Sequence, residues 1–165
     1  MNGGKLTENM KTLLPAPLGS VSTGTLNPRD LIPALTSELE WQIGRNGEFL
    51  SKPENFAMRD RLASLVGEAQ DSFDEAGEEI REDVDSSEII NDLCDALSEF
   101  AKPFCWFGSH PGDGSDFGYW PCFESIDDLE HGDSEASLDG DDRKEVNDHG
   151  NVTVWSNGKS VLEIV

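Results

Sequence analysis

The sequence predicts an α+β fold, with about three N-terminal helices packed on a C-terminal antiparallel sheet of four to five strands. Two observations carry this prediction: apolar residues recur at helical spacing up to residue 101, and short alternating segments separated by turn residues follow them. The chain has 165 residues, a length that suits one domain. We therefore expect a single acidic α+β domain over residues 26–165. A flexible arm over residues 1–25 precedes it, with a short ordered piece at residues 13–18.

Each predicted helix begins at a residue that can satisfy its first backbone N–H groups. Asn27 can cap the first helix, with Pro28 at the first helical position. Residues 51–54, Ser-Lys-Pro-Glu, have the spacing of a capping box. Asp85 or Ser86 can cap the third helix, whose polar face carries acidic groups. The predicted spans are residues 28–43, 52–75 and 86–101.

Strand-like alternation begins at residue 104. The segment FGSHPGDGSDFGYWP, residues 107–121, reads as parts of two strands joined by a glycine-rich turn. The segment SNGK, residues 156–159, is typical of a two-residue hairpin turn. A short helix is expected over residues 125–130 and a polar acidic loop over residues 131–142. The predicted strands are residues 104–109, 117–122, 145–148, 152–155 and 160–165.

The formal net charge of −22 is concentrated in two segments. Residues 67–100 hold thirteen acidic groups and one base, Arg81, whereas residues 124–142 hold nine acidic groups and no base. Such a chain repels nucleic acid and anionic membranes and is attracted to basic surfaces. The clustering therefore predicts an interaction surface for a basic partner, without direct nucleic-acid or membrane binding.

The first acidic segment approaches the charge density of nucleic acid. If it were wholly helical it would span roughly 50 Å, with one carboxylate about every 4 Å. A DNA strand carries one phosphate per roughly 3.4 Å. The hypothesis is a nucleic-acid mimic, with Tyr119 and Trp120 offering an aromatic contact beside it. The carboxylates assigned to this surface are Asp71, Asp74, Glu75, Glu78, Glu79, Glu82, Asp83, Asp85, Glu88, Asp92, Asp95, Glu124, Asp127, Asp128, Glu130, Asp133 and Glu135.

Two alternatives belong to other classes of protein. A small metal-dependent enzyme or binder could use His110, Asp113, Asp116 and His149, since carboxylates and imidazoles serve as bases and ligands. Aspartate and glycine are also ordinary turn residues, and no recognised catalytic motif frames them. We therefore expect no enzymatic activity, no cofactor and no bound metal. A virion or scaffold component is the other alternative.

The cysteines indicate a reducing compartment. There are three, Cys94, Cys105 and Cys122, and their odd number and uneven spacing do not fit a disulfide framework. Neither a signal-peptide pattern nor a long apolar run occurs in the sequence. We expect a soluble protein with reduced thiols in a cytoplasm.

Three motifs occur together in a fixed order: NPRDLIPA at residues 27–34, FGSHPGDGSDFGYWP at residues 107–121 and VNDHGNVT at residues 146–153. With them the chain resembles a family of small acidic proteins of unassigned function encoded by bacteriophages and other mobile elements. The resemblance covers most of the chain from about residue 24 and implies no catalytic residues. It implies a bacteriophage protein acting in the host cytoplasm. By analogy we expect a counter-defence inhibitor, of the anti-CRISPR or anti-restriction type, that occupies a basic channel of a host nucleic-acid-binding protein.

Overall fold

The computed structural model describes residues 13–165, and in this range the protein is α+β, as predicted. The α-helices of this range are α1 Pro28–Arg45, α2 Gly47–Leu50, α3 Phe56–Asp71, α4 Ser86–Ser98 and α5 Phe123–Asp127. The strands are β1 Gly19–Ser22, β2 Cys105–His110, β3 Asp113–Pro121, β4 Glu130–His131, β5 Arg143–Val146, β6 Val152–Ser156 and β7 Lys159–Ile164.

The strands form two sheets, so the expectation of one antiparallel sheet of four to five strands is corrected. One sheet has the order β1-β3-β2 and the other the order β4-β5-β6-β7, in which β4 and β5 run parallel. Strand β1 comes from the N-terminal region and pairs with β3. The two backbones approach closely at Gly118, which has no side chain. A Cβ at Gly118 would collide with the backbone of Gly19 and Ser20.

The chain divides into two compact units. The helical unit comprises the residues up to Ala101 together with Phe107–Tyr119, and the C-terminal unit comprises Lys102–Trp106 and Trp120–Val165. The single domain expected over residues 26–165 stays a prediction.

The predicted flexible arm lies partly outside the described residues, over residues 1–12. From residue 13 onward the segment is ordered against the helical unit. This agrees with the ordered piece predicted at residues 13–18 but covers a longer stretch. Ala16 is fully buried and its N–H donates a 2.7 Å hydrogen bond to the carbonyl of Phe100. Strand β1 follows directly and pairs with β3.

Helices α1, α3 and α4 form the core of the helical unit, and they correspond to the three predicted helices. Asn27 caps α1 by accepting a 3.1 Å hydrogen bond from the N–H of Arg29. Asp85 caps α4 by accepting bonds from the N–H groups of Ser87 and Glu88. The apolar stripes meet in one cluster, with Leu31, Leu35, Leu39, Leu62, Leu93, Leu97 and Phe100 buried.

The predicted second helix differs at both ends. Residues Pro53–Asn55 form a 3-10 turn before α3, and Ser51 donates its hydroxyl to the carbonyl of Gly47 at 2.6 Å, so the predicted capping box is wrong. Helix α3 ends at Asp71 because the next residue turns the chain. Ser72 is buried and its hydroxyl donates a 2.6 Å bond back to the carbonyl of Ala69.

The C-terminal unit contains the predicted SNGK hairpin between β6 and β7. Asn157 and Gly158 both have positive φ, 47° and 75°, as a type I′ turn requires. Val154 and Leu162 are buried in the sheet. The predicted loop over residues 131–142 is more structured than expected. It contains the end of β4, whose short pairing with β5 leaves no alternating pattern in the sequence, and a 3-10 turn at Ala136–Asp139.

Candidate acidic interaction surface

Eleven of the thirteen carboxylates of the first acidic segment lie on two different structures, and the other two, Glu68 and Asp71, lie on α3. We call residues 72–85, between α3 and α4, the acidic loop; Glu88, Asp92, Asp95 and Glu99 on α4 and its C-cap form the acidic stripe. All thirteen acidic side chains of residues 67–100 are exposed. Seven of them belong to the acidic loop: Asp74, Glu75, Glu78, Glu79, Glu82, Asp83 and Asp85.

The acidic loop is closed by its own backbone and by Asp74. The Asp74 N–H donates a 2.8 Å hydrogen bond to the carbonyl of Glu79, and Gly77, at φ 71°, provides the reversal. The Asp74 carboxylate accepts bonds from the N–H groups of Glu78 and Glu79 at 2.9 and 3.3 Å. These bonds stabilise the charged form and lower the pKa of Asp74 below its usual 3.8.

Two apolar side chains attach the acidic loop to the core. Phe73 and Ile80 form an isolated antiparallel bridge, and both pack against the helical core. Arg81 ties the base of the loop, because its N–H donates to the carbonyl of Ser72 at 2.9 Å and its guanidinium to that of Asp71 at 3.2 Å. The acidic loop therefore holds its exposed carboxylates on an ordered backbone.

The acidic stripe follows one face of α4. Its members are spaced by four, three and four residues, which places them on one side of a helix at intervals of roughly 4.5–6 Å along the axis. Like charges four residues apart destabilise an isolated helix by about 0.2–0.5 kcal/mol a pair. The apolar face of α4, with Leu93 and Leu97 buried, offsets that repulsion.

In the part of the chain that the structure describes, most of these carboxylates have no cation beside them. Arg29 pairs with Glu79 at 2.9 Å, Arg61 with Glu99 at 2.7 Å and Arg81 with Asp83 at 2.6 Å. These pairs are exposed, so each contributes at most about 1 kcal/mol. Within the described residues, the other ten acidic groups of residues 67–100 make no ion pair.

The first acidic segment is not one continuous helix, in line with the break predicted between residues 75 and 86. The segment is helical up to Asp71 and again from Ser86, with the acidic loop between. The carboxylates therefore do not follow a straight line of about 50 Å. They are divided between a folded loop, one face of α4 and the C-terminal end of α3.

The second acidic segment belongs to the C-terminal unit and carries its own cations. Arg143, with a side chain only 13% exposed, lies 2.7 Å from Asp139, 3.4 Å from Glu130 and 3.7 Å from Asp141. Lys144 donates a 2.6 Å hydrogen bond to the carbonyl of Asp127. Counting the charges of residues 124–142 missed this neutralisation of the carboxylates. Arg143 and Lys144 follow that segment in the sequence and fold back on it. The predicted binding residues Glu124, Asp127, Asp128, Glu130, Asp133 and Glu135 are exposed.

Tyr119 does not offer the predicted aromatic contact. It is 1% exposed, and its ring packs edge-on against Phe107 with centroids 4.8 Å apart. Its hydroxyl donates a 3.3 Å bond to Glu38, and burial together with that carboxylate raises its pKa. Trp120 is half-buried.

The residues of the alternative metal or catalytic site are divided between the units. His110, Asp113 and Asp116 belong to the helical unit, and His149 lies between β5 and β6 in the C-terminal unit. His110 Nδ1 accepts from the N–H of Gly112 at 3.0 Å, and Asp113 accepts from the N–H and hydroxyl of Ser115 at 3.0 and 2.8 Å. These hydrogen bonds stabilise the turn between β2 and β3. The two hydrogen bonds from Ser115 also lower the pKa of Asp113.

Asp116 is held on β3 by β1. One of its carboxylate oxygens accepts a 2.9 Å bond from the Ser20 hydroxyl, and the other is buried with no hydrogen-bond partner among the described residues. Across residues 13–165, no three or more His, Cys, Asp or Glu side chains are grouped so that they could hold a metal ion.

The three cysteines are unpaired thiols. Burial raises the pKa of Cys94 and of Cys105 to about 11 each. The half-buried Cys122 has its thiol 3.2 Å from the Ser125 hydroxyl, and hydrogen bonding there lowers its pKa.

Comparison of the chain with protein-family models, curated proteins and solved structures found no match. The described part of the chain contains no helix with the length and apolar character needed to span a membrane.

Proposed function

We propose that the protein is a non-enzymatic inhibitor, encoded by a bacteriophage, that binds a basic nucleic-acid channel of a host defence protein through the acidic loop and the acidic stripe. The observation that carries the proposal is the ordered, exposed group of carboxylates in residues 67–100, ten of which make no ion pair with any residue of 13–165. A folded protein that keeps so much unneutralised charge together is destabilised by self-repulsion. A cationic partner removes that repulsion on binding.

Preorganisation supports the same proposal. A disordered acidic tail would lose backbone conformational entropy when it binds, whereas a loop already fixed by Asp74, Phe73 and Ile80 loses less. The carboxylates then present a fixed pattern of negative charge to a groove built for phosphates. Oriented charge of this kind contributes to association rate and specificity.

The two acidic segments are not equivalent in this proposal. Arg143 and Lys144 partly neutralise the segment in the C-terminal unit, so we assign most of the binding to the helical unit. We infer the host protein as target, the cytoplasmic location and the counter-defence role from the resemblance to small acidic proteins of bacteriophages and other mobile elements.

The test uses two matched variants. One reverses Glu75, Glu78 and Glu82 to Lys, side chains that make no ion pair or hydrogen bond within the described residues. The other reverses Glu124, Asp128 and Glu135 in the C-terminal unit. Each variant replaces three negative by three positive charges and so changes the net charge from −22 to −16.

The immobilised wild type and both variants are incubated with nuclease-treated lysate of the bacterial host and eluted with rising salt. We expect the wild type to retain a nucleic-acid-binding protein that elutes at moderate salt. The loop variant should lose it and the C-terminal variant keep most of it. Equal retention by all three proteins would contradict the proposal.

A further inference from the structure

A groove opens at the surface of the helical unit between α1, the end of α3 and the acidic loop. Its volume is about 550 Å³, within the range of about 300–1,000 Å³ seen for ligand sites. Its apolar lining comes from Ile32 and Pro33 on α1, Ala69 on α3 and Phe73 at the start of the acidic loop. The groove can therefore cover the apolar part of a side chain.

The polar lining of the groove is negative. Asp30, Glu40 and Glu78 line it, and among the described residues none of the three has an ion-pair partner. Asp30 accepts a 3.1 Å bond from the Thr25 hydroxyl, and Glu40 accepts a 3.1 Å bond from the Gln70 amide, both neutral donors. The remaining charged group is Arg29, which is engaged with Glu79 at 2.9 Å.

We propose that this groove binds an arginine side chain from a basic segment of the partner protein. A guanidinium is planar and weakly hydrated, stacks on aromatic rings and pairs with carboxylates in two-point geometry, whereas a lysine ammonium is compact and strongly hydrated. Phe73 and Pro33 supply the surface for the apolar stem, and Asp30, Glu40 and Glu78 supply the counter-charge. The inference rests on the proposed function and adds the chemistry of the residue that the partner inserts.

The direct test uses three short peptides and the full chain. Acetyl-Gly-Arg-Gly-amide is titrated into isotope-labelled protein and followed by amide chemical shifts, alongside the same peptide with lysine or with citrulline, the uncharged analogue of arginine. We expect the arginine peptide to shift Thr36, Ser37 and Gln70, which line the groove. The lysine peptide should bind more weakly, and the citrulline peptide about tenfold or more weakly. Equal binding of arginine and citrulline peptides, or shifts confined to other residues, would overturn the proposal.

Two substitutions locate the site. Ser37→Phe fills the groove without changing charge, and Ser64→Phe is its control, an exposed serine on α3 that lines a different groove. We expect Ser37→Phe to abolish the shifts and Ser64→Phe to leave them. The reverse result would move the arginine to the groove between α3 and α4 and refute the assignment. Should Ser37→Phe fail to fold, the Glu40→Gln, Glu78→Gln double variant takes its place, with at least about tenfold weaker binding expected.

The same variants separate this inference from the proposed function. If Ser37→Phe leaves capture of the host protein unchanged while the Glu75, Glu78, Glu82 reversal abolishes it, the groove assignment fails and the inhibitor proposal stands. If the arginine peptide binds in the groove but no variant affects capture, the groove stands and the inhibitor proposal fails.

Discussion

The Asp74 carboxylate accepts a 2.9 Å hydrogen bond from the backbone N–H of Glu78, four residues further along the chain. One acidic side chain thus closes the acidic loop that displays the others. Since the bond favours the ionised carboxylate, the order of the loop depends on the charge state of one of its own members.

This dependence predicts a pH response. The pKa of Asp74 is lower in the folded protein than its ordinary value of 3.8, so its stabilisation is complete above that value and is lost as the pH falls through the folded pKa. Asp74 should titrate below 3.8 by carboxyl NMR, and the amide protons of Glu78 and Glu79 should lose protection over the same range. A titration at or above 3.8 would show that the two hydrogen bonds are not formed in solution.

Gly77 tests whether the shape of the acidic loop matters apart from its charge. Its φ of 71° disfavours any L side chain, although a Cβ there meets no atom within 4 Å. Gly77→Ala should therefore destabilise the loop by about 1–2 kcal/mol through backbone strain alone. Hydrogen exchange of the loop amides should become faster and partner affinity should fall with charge unchanged.

The control for this substitution is Gly67→Ala, in the interior of α3. There too a Cβ meets no atom within 4 Å, and no positive φ is involved. Replacing a helical glycine by alanine should stabilise the protein by about 0.5–1 kcal/mol and leave partner affinity unchanged. If both variants behaved alike, the positive φ of Gly77 would not be what orders the loop.

Arg143 is expected to hold the acidic segment of the C-terminal unit together. Arg143→Met keeps most of the apolar stem but leaves Glu130, Asp139 and Asp141 without their cation. The partners are exposed while the Arg143 side chain is mostly buried, so the loss should be intermediate, about 1–3 kcal/mol. Chemical denaturation by urea at low and high salt measures it, and the loss should be smaller at high salt, where repulsion among the carboxylates is screened.

Lys159→Met is the matched control, because this lysine is exposed at the start of β7 and makes no ion pair in the described part of the chain. It should change stability by less than about 0.5 kcal/mol. Equal effects of the two substitutions would mean that Arg143 contributes only general charge.

Elements that depend on neighbouring residues, such as a helix cap or a tight turn, could be located from the sequence. Asp85 precedes the apolar stripe of α4, and the Asn157-Gly158 pair fits a turn that requires positive φ, so both elements were predictable. Strand β1 was not, because its pairing with β3 depends on the close approach at Gly118, nearly a hundred residues away. The grouping of the strands into two sheets is likewise set by contacts that no local pattern contains.

The candidate surface was predictable in composition but not in shape. Counting charges identified its carboxylates, whereas the break after Asp71 depends on Ser72 and on the bridge between Phe73 and Ile80. A break between residues 75 and 86 was predicted, but helical periodicity gave no sign that the turn begins as early as residue 72. The burial of Tyr119 and the return of Arg143 to the second acidic segment are also tertiary effects.

Competition for a nucleic-acid site is the measurement that tests the inhibitor proposal most directly. A fluorescent DNA or RNA duplex is bound to the host protein that the chain captures, and unlabelled chain is added at several salt concentrations. Wild type should displace the duplex, less effectively as salt rises, and the Glu75, Glu78, Glu82 reversal should be at least about tenfold weaker than the Glu124, Asp128, Glu135 reversal. A ternary complex of duplex, host protein and chain, with no displacement at any salt concentration, would contradict it.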